Sequence, residues 1–266
     1  MSEDGFSTGP TGLMDKVSSP PLASSAARAS TVFFHQLHQK CSEIIGQSLQ
    51  GNGEQLQGRA YGFTVELNTW IRVLGSRLEA RLFKSVLREA QYGLLCLAQG
   101  HYSHAFRSLR LMLELGLQAV FLSAHPVELR EWLESKKDTV WGEIIDEERG
   151  VFSARFVRAF DFEMEAHRKH YLSLSKAIYR ECSECVHGNV QKHIVLPEML
   201  EFSAQAFELW HEKAEVVALI LTFAVSVRYF KELSLRERSM LETLLLDRLG
   251  HLSEIRNRFD TSGGDS

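Results

Sequence analysis

The segment YSHAFRSLRLMLELGLQAVFLSA, residues 102–124, decides the fold class. Leu, Met and Ala dominate it, and these side chains lose little freedom on entering a helix. Pro126 marks its end, because the residue before a proline is pushed out of the helical region. Phe106, Leu109, Leu111, Met112, Leu113, Leu115, Leu117, Val120 and Phe121 lie almost all round the helical barrel. A helix apolar on every side belongs at the centre of a structure. No stretch of comparable length alternates apolar and polar residues as a half-buried strand would. The expected class is therefore all-α: a multi-helix bundle of about eight helices with no significant sheet. Residues 193–196 are the one short stretch with strand character.

Outward from this centre the helical pattern continues. Val32, Phe33, Leu37, Cys41, Ile44, Ile45 and Leu49 recur at spacings of three and four, and Gly51-Asn52-Gly53 ends that run. Residues 61–98 read as one long or broken helical region stopped by Gly100. Residues 127–150 hold one or two short helices, and 152–162 form an amphipathic stretch that is basic on one side. Another helix covers 164–186. Pro197 suits a first helical turn, so a long helix is expected from there to about Leu233. Ser234, with Glu237 three positions on, is a capping box for a last helix over 235–249. Residues 1–29 and 260–266 are low in hydrophobicity and read as disordered tails. The expected organisation is one helical domain over 30–259.

Composition limits the functional classes. The chain has 266 residues, 44% of them hydrophobic, with five prolines and a net charge of −4. It has ample length for a core, and its charge disfavours a general nucleic-acid coat protein, which needs a strongly basic surface. Four cysteines without framework spacing indicate reduced thiols and a cytoplasmic location. The longest apolar run, 216–227, is 12 residues, too short to span a bilayer, so no membrane association is expected. No phosphate-binding Gly-rich loop, Gly-x-Ser-x-Gly elbow or His-Glu-x-x-His occurs, which disfavours P-loop enzymes, α/β-hydrolases and zincins.

The chemistry concentrates at 179–189, YRECSECVHGN. On a helix, Arg180 and His187 are seven residues apart and share a face, with Ser183 beside it. Three readings compete. In the first, Arg180 anchors a phosphate and His187, at a helix C-terminus where its cation is favoured, moves a proton. In the second, Cys182, Cys185 and His187 are zinc ligands, although a fourth ligand is not evident. In the third, the small side chains simply allow close packing and His187 caps carbonyls. Arg110 and Glu114 form an i,i+4 pair on the central helix. Because buried charge needs a partner, the pair either closes on itself or reaches toward the 180–187 face. Arg168, Lys169 and His170 extend positive charge upstream of that face, or are an ordinary solvated turn.

Arg-x-x-x-Glu on a core helix, followed by a helix ending in Arg-x(6)-His and then Gly188-Asn189, resembles the HEPN superfamily. The likeness covers roughly residues 90–190, with six residues between Arg and His where that family more usually has four. It implies a helical bundle that dimerises and, in many bacterial members, a metal-independent ribonuclease of toxin–antitoxin or phage-defence systems. It further implies Arg180 and His187 as catalytic residues, to which Ser183 is added because Ser183-x-x-x-His187 resembles an element of a related set of helical bacterial proteins, with Arg110, Glu114 and Asn189 in support. Arg168, Lys169 and His170 would contact RNA. No metal or cofactor is called for, and the partners implied are RNA, a second copy and an antitoxin-like protein. The alternative is an inactive helical adaptor or sensor that binds a protein or a nucleotide. Residues 98–105, AQGHYSHA, resemble the turn of a tetratricopeptide repeat, but no second copy recurs at the repeat period, so a tight helix–turn–helix is expected there.

Overall fold

The structure is a computed structural model that describes residues 21–75, 77–187 and 196–260; of 21–25 and 185–187 it describes the backbone alone. The chain divides into two compact units, Met1–Lys40 and Cys41–Ser266. All described regular structure is helical. It comprises α1 (Pro21–Ser48), α2 (Gly53–Leu74), α3 (Ala80–Ala98), α4 (Tyr102–Ser123), α5 (Pro126–Leu133), α6 (Trp141–Ile144), α7 (Ala154–Asp161), α8 (Arg168–His187), α9 (Ala204–Tyr229), α10 (Leu235–Leu249) and α11 (Ser253–Asp260). Two 3₁₀ turns follow α7 and α9. The all-α expectation holds, and about eight helices is close to the eleven described, four of which, α5, α6, α7 and α11, have eight residues or fewer. Residues 193–195 of the stretch with strand character lie outside the described residues.

In the first unit, α1 starts at Pro21, within the stretch read as a tail. Its Val32, Phe33 and Phe34 are exposed, with the two Phe rings edge to face at 5.5 Å.

In the second unit α4 is central, as its sequence requires. Phe106, Leu109, Leu113, Leu117, Val120 and Leu122 are fully buried, while Leu111 is exposed and Leu115 partly buried. It packs most extensively on α3, with α8 and α9 next. The α3–α4 hairpin turns at Gly100, whose φ of +80° is reached cheaply only by glycine. A Cβ there would also sit 3.1 Å from the Ile44 side chain. Gly116 on α4 leaves a notch that the Leu221 side chain of α9 enters, since an added Cβ would lie 2.4 Å from Leu221 Cδ2. The apolar run 216–227 lies in α9 and is buried except at Val216 and Leu219, which are partly buried. No described helix is long and apolar enough to cross a membrane.

Two boundaries differ from the sequence reading. The region over 61–98 is the broken alternative, interrupted after Leu74 by Gly75 at φ +56°, and its first helix starts eight residues before the expected one, at Gly53. The helix expected from Pro197 begins seven residues later, at Ala204. Ser203 is the cap: its Oγ accepts the Ala206 N–H at 3.2 Å, and its own N–H donates to Tyr102 Oη at 2.8 Å. A capping hydroxyl satisfies an otherwise orphaned amide, whereas Pro197 offers only a compatible φ. The capping box at Ser234 and Glu237 forms as expected.

Candidate functional site

Helix α8 carries the predicted cluster, and its burial pattern orients it. Tyr171, Leu172, Ser175, Ile178 and Cys182 are buried against the body of the second unit. Tyr171 stacks on Phe223 of α9 at 3.6 Å, and burial pushes its hydroxyl up to about 12. With that side fixed inward, the opposite line of the helix must face solvent. Lys169, Ser173, Lys176 and Arg180 are all exposed, and at 100° per residue they occupy about 60° of arc. Position 187 falls on the same line. Three cationic residues and the His187 position thus lie along about 27 Å of one face.

Arg180 is therefore an outward-facing guanidinium at the predicted register from His187. The helix continues unbroken through His187, of which the backbone alone is described; Asn189 lies outside the described residues. Ser183 is less available than the sequence suggested. Its Oγ donates to the Tyr179 carbonyl one turn back at 2.6 Å, which occupies the hydroxyl proton within the helix.

The upstream trio separates. Lys169 joins the exposed line, while Arg168 turns sideways and donates from Nη1 to the Phe152 carbonyl at 3.3 Å. His170 is exposed, its ring edge to face with Tyr171 at 5.4 Å. All three lie in the first turn of α8, about 26–29 Å of helix from position 187. Lys176, between them and Arg180, pairs with Glu147 at 2.7 Å.

Arg110 and Glu114 do close on each other, at 3.5 Å. They do so at the rim of the core, with about a quarter of each side chain exposed. Arg110 also reaches α8, but its partner is Tyr179. Its Nη2 hydrogen-bonds the phenol oxygen, and its guanidinium carbon stands 4.5 Å from the ring centroid. Trp141 of α6 stacks on that same ring at 4.0 Å and 7°. The aromatic pair and the cation hold α4, α6 and α8 together. Tyr179 and Trp141 were not among the sequence candidates. The available signal was one aromatic in the middle of α8 and one at the start of α6, but their separation in sequence gives no register from which to pair them.

On the acidic side, Glu181 pairs with Lys213 of α9 at 3.0 Å. Of the zinc ligands considered, the Cys185 and His187 side chains lie outside the described residues. Cys182 is buried.

Sequence reasoning also passed over a cleft on the other side of α6. A cavity of about 490 Å³ is lined by His125, Glu128, Lys137, Glu143, Asp146, Glu148 and Arg149, with Phe121 and Gly142 behind them. Its residues come from α4, α5, α6 and the connecting turns, where no periodic pattern could announce a shared site. No protein-family model, curated protein or solved structure matches this chain.

Proposed function

We propose that this is a HEPN-like helical protein that contacts RNA along the exposed face of α8 and cleaves it without a metal. The observation that carries the reading is the solvent-facing line of Lys169, Lys176 and Arg180, ending at the position of His187. A row of cations on one helix face neutralises successive phosphates. Arg180 would hold the scissile phosphate. His187 would take the proton from the ribose 2′-hydroxyl as its oxygen attacks phosphorus, or give a proton to the departing 5′-oxygen. The support is one of placement and charge.

A second reading, the inactive adaptor, is favoured by Arg110 and Glu114. Both are engaged with each other, and Arg110 with Tyr179, so they brace the frame instead of converging on Arg180.

One experiment separates the two. Growth and RNA integrity are followed on expression of the wild type, His187→Ala and Arg180→Ala, with circular dichroism to confirm folding. The ribonuclease reading expects arrest and RNA breakdown with the wild type and relief by at least about 100-fold in cleavage rate with either variant. Equal behaviour of all three, toxic or silent, leaves the adaptor.

A further inference from the structure

A cleft lined by no residue of α8 carries an independent inference. The 490 Å³ cavity adjoins a second one of about 260 Å³, and His125 and Arg149 line both. The two compartments differ in charge. The larger is rimmed by four carboxylates, Glu128, Glu143, Asp146 and Glu148, against Lys137 and Arg149. The smaller has Arg149 and Arg155 with the rings of Phe156 and Phe160, and no carboxylate. Together the compartments reach the size range of small-molecule sites.

None of these charged side chains makes an ion pair with another described residue, although ion pairs are frequent elsewhere in the second unit. The wall between the compartments is built to stay in place. His125 stacks on Phe121 at 4.2 Å, and its Nδ1 lies 2.8 Å from the Phe121 carbonyl. A carbonyl only accepts, so Nδ1 carries the proton and points the ring's other nitrogen away from it. The turn that presents Arg149 is equally fixed. Asp146 Oδ1 accepts the backbone N–H groups of Glu148 and Arg149 at 3.0 and 2.8 Å. Gly150 closes that turn so tightly that a Cβ would stand 2.5 Å from Asp146 N.

A bipolar groove, acidic at one end and basic at the other, selects a ligand charged in the opposite sense at each end. Carboxylates at one end and guanidiniums at the other ask for a cation and an anion on one molecule. We infer that the cleft binds a basic amino acid, free or at the C-terminus of a peptide. Its α-carboxylate lies between Arg149 and Arg155, where guanidinium forks match a carboxylate. Its side-chain cation lies among Glu128, Glu143 and Glu148.

The test is calorimetric titration of the full chain with four probes: L-arginine, Nα-acetyl-L-arginine, agmatine and L-citrulline. L-arginine should bind with a Kd below about 1 mM. Agmatine, without the carboxylate, and citrulline, without the side-chain charge, should each bind at least about tenfold more weakly. Acetyl-arginine binding as well as arginine identifies a peptide C-terminus as the source; binding of arginine alone identifies the free amino acid. The double variant Arg149→Gln, Arg155→Gln should lose discrimination against agmatine. Glu143→Gln with Glu148→Gln should lose it against citrulline. No arginine binding at 10 mM, equal binding of all four probes, or variants that bind as the wild type does would each overturn the assignment. Because no probe is a nucleic acid, failure here leaves the α8 reading untouched.

Discussion

Arg258 and Arg180 are the same side chain in opposite circumstances. Arg258 of α11 is nearly buried and sits 2.7 Å from Asp161, whose side chain is fully enclosed and which also faces Lys231 at 3.3 Å. Arg248 is held likewise, with its Nε and Nη2 each donating to Glu66 at 3.0 Å and its Nη1 donating to Glu215. Burial still holds the Glu66 carboxyl above its usual value, although Arg248 pulls the other way. Desolvation is thus not fully offset even by a well-placed guanidinium. Arg180 stands on an open helix face. A charge enclosed with a partner fixes how helices meet; a charge on the outside is free to meet something else.

The comparison can be broken where the largest effect is expected. Arg258→Met should leave Asp161 enclosed with only Lys231 beside it and lower the unfolding free energy by about 3–4 kcal/mol, read by urea denaturation. A loss below about 1 kcal/mol would mean that Asp161 is already adequately served.

His211 sharpens it from the acid side. It is 3% exposed, and burial lowers its pKa to about 4, with Arg59 adding to the effect. The fold therefore holds the neutral ring, while the unfolded chain takes up a proton below about 6.5. Stability attributable to this group is complete above 6.5 and falls as pH drops toward 4, by about 3 kcal/mol in all. His211→Gln should flatten that part of the stability–pH curve. An unchanged slope between pH 6.5 and 4 in the variant would contradict it.

The smallest effect is expected at Arg180. Arg180→Ala should change stability by less than about 0.5 kcal/mol, so that any change in RNA handling is a loss of contact and not of fold. A destabilisation above about 1 kcal/mol would place Arg180 with Arg258 instead.

These contrasts also mark what the sequence could convey. The all-round apolar pattern of α4, the stop at Gly100, the turn at 98–105 and the capping box at Ser234 are local rules, and each is met in the structure. The register of Arg180 to position 187 is local too. What failed was a boundary set from a distance. Pro197 had the right backbone angle, but the start of α9 was taken by Ser203, which Tyr102 holds from another helix. Arg110 could be seen to need a partner. That the partner is Tyr179, backed by Trp141, depends on how α4, α6 and α8 come together, which no spacing within one helix encodes. The bipolar cleft was illegible for the same reason, since its residues lie in turns and short helices whose order in the chain says nothing of their arrangement in space.

The notch at Gly116 has a consequence for assembly of the core. A helix such as α9, greasy on nearly every side, presents neighbours with a surface that changes little from one turn to the next, so several axial positions would be nearly equal in energy. The missing side chain removes that degeneracy. Only one setting of α9 lets Leu221 drop into the gap on α4, and sliding by a turn would leave a void at one level and a collision at another. An absent methyl group thereby works as a detent, which locks the sliding coordinate of the two innermost helices.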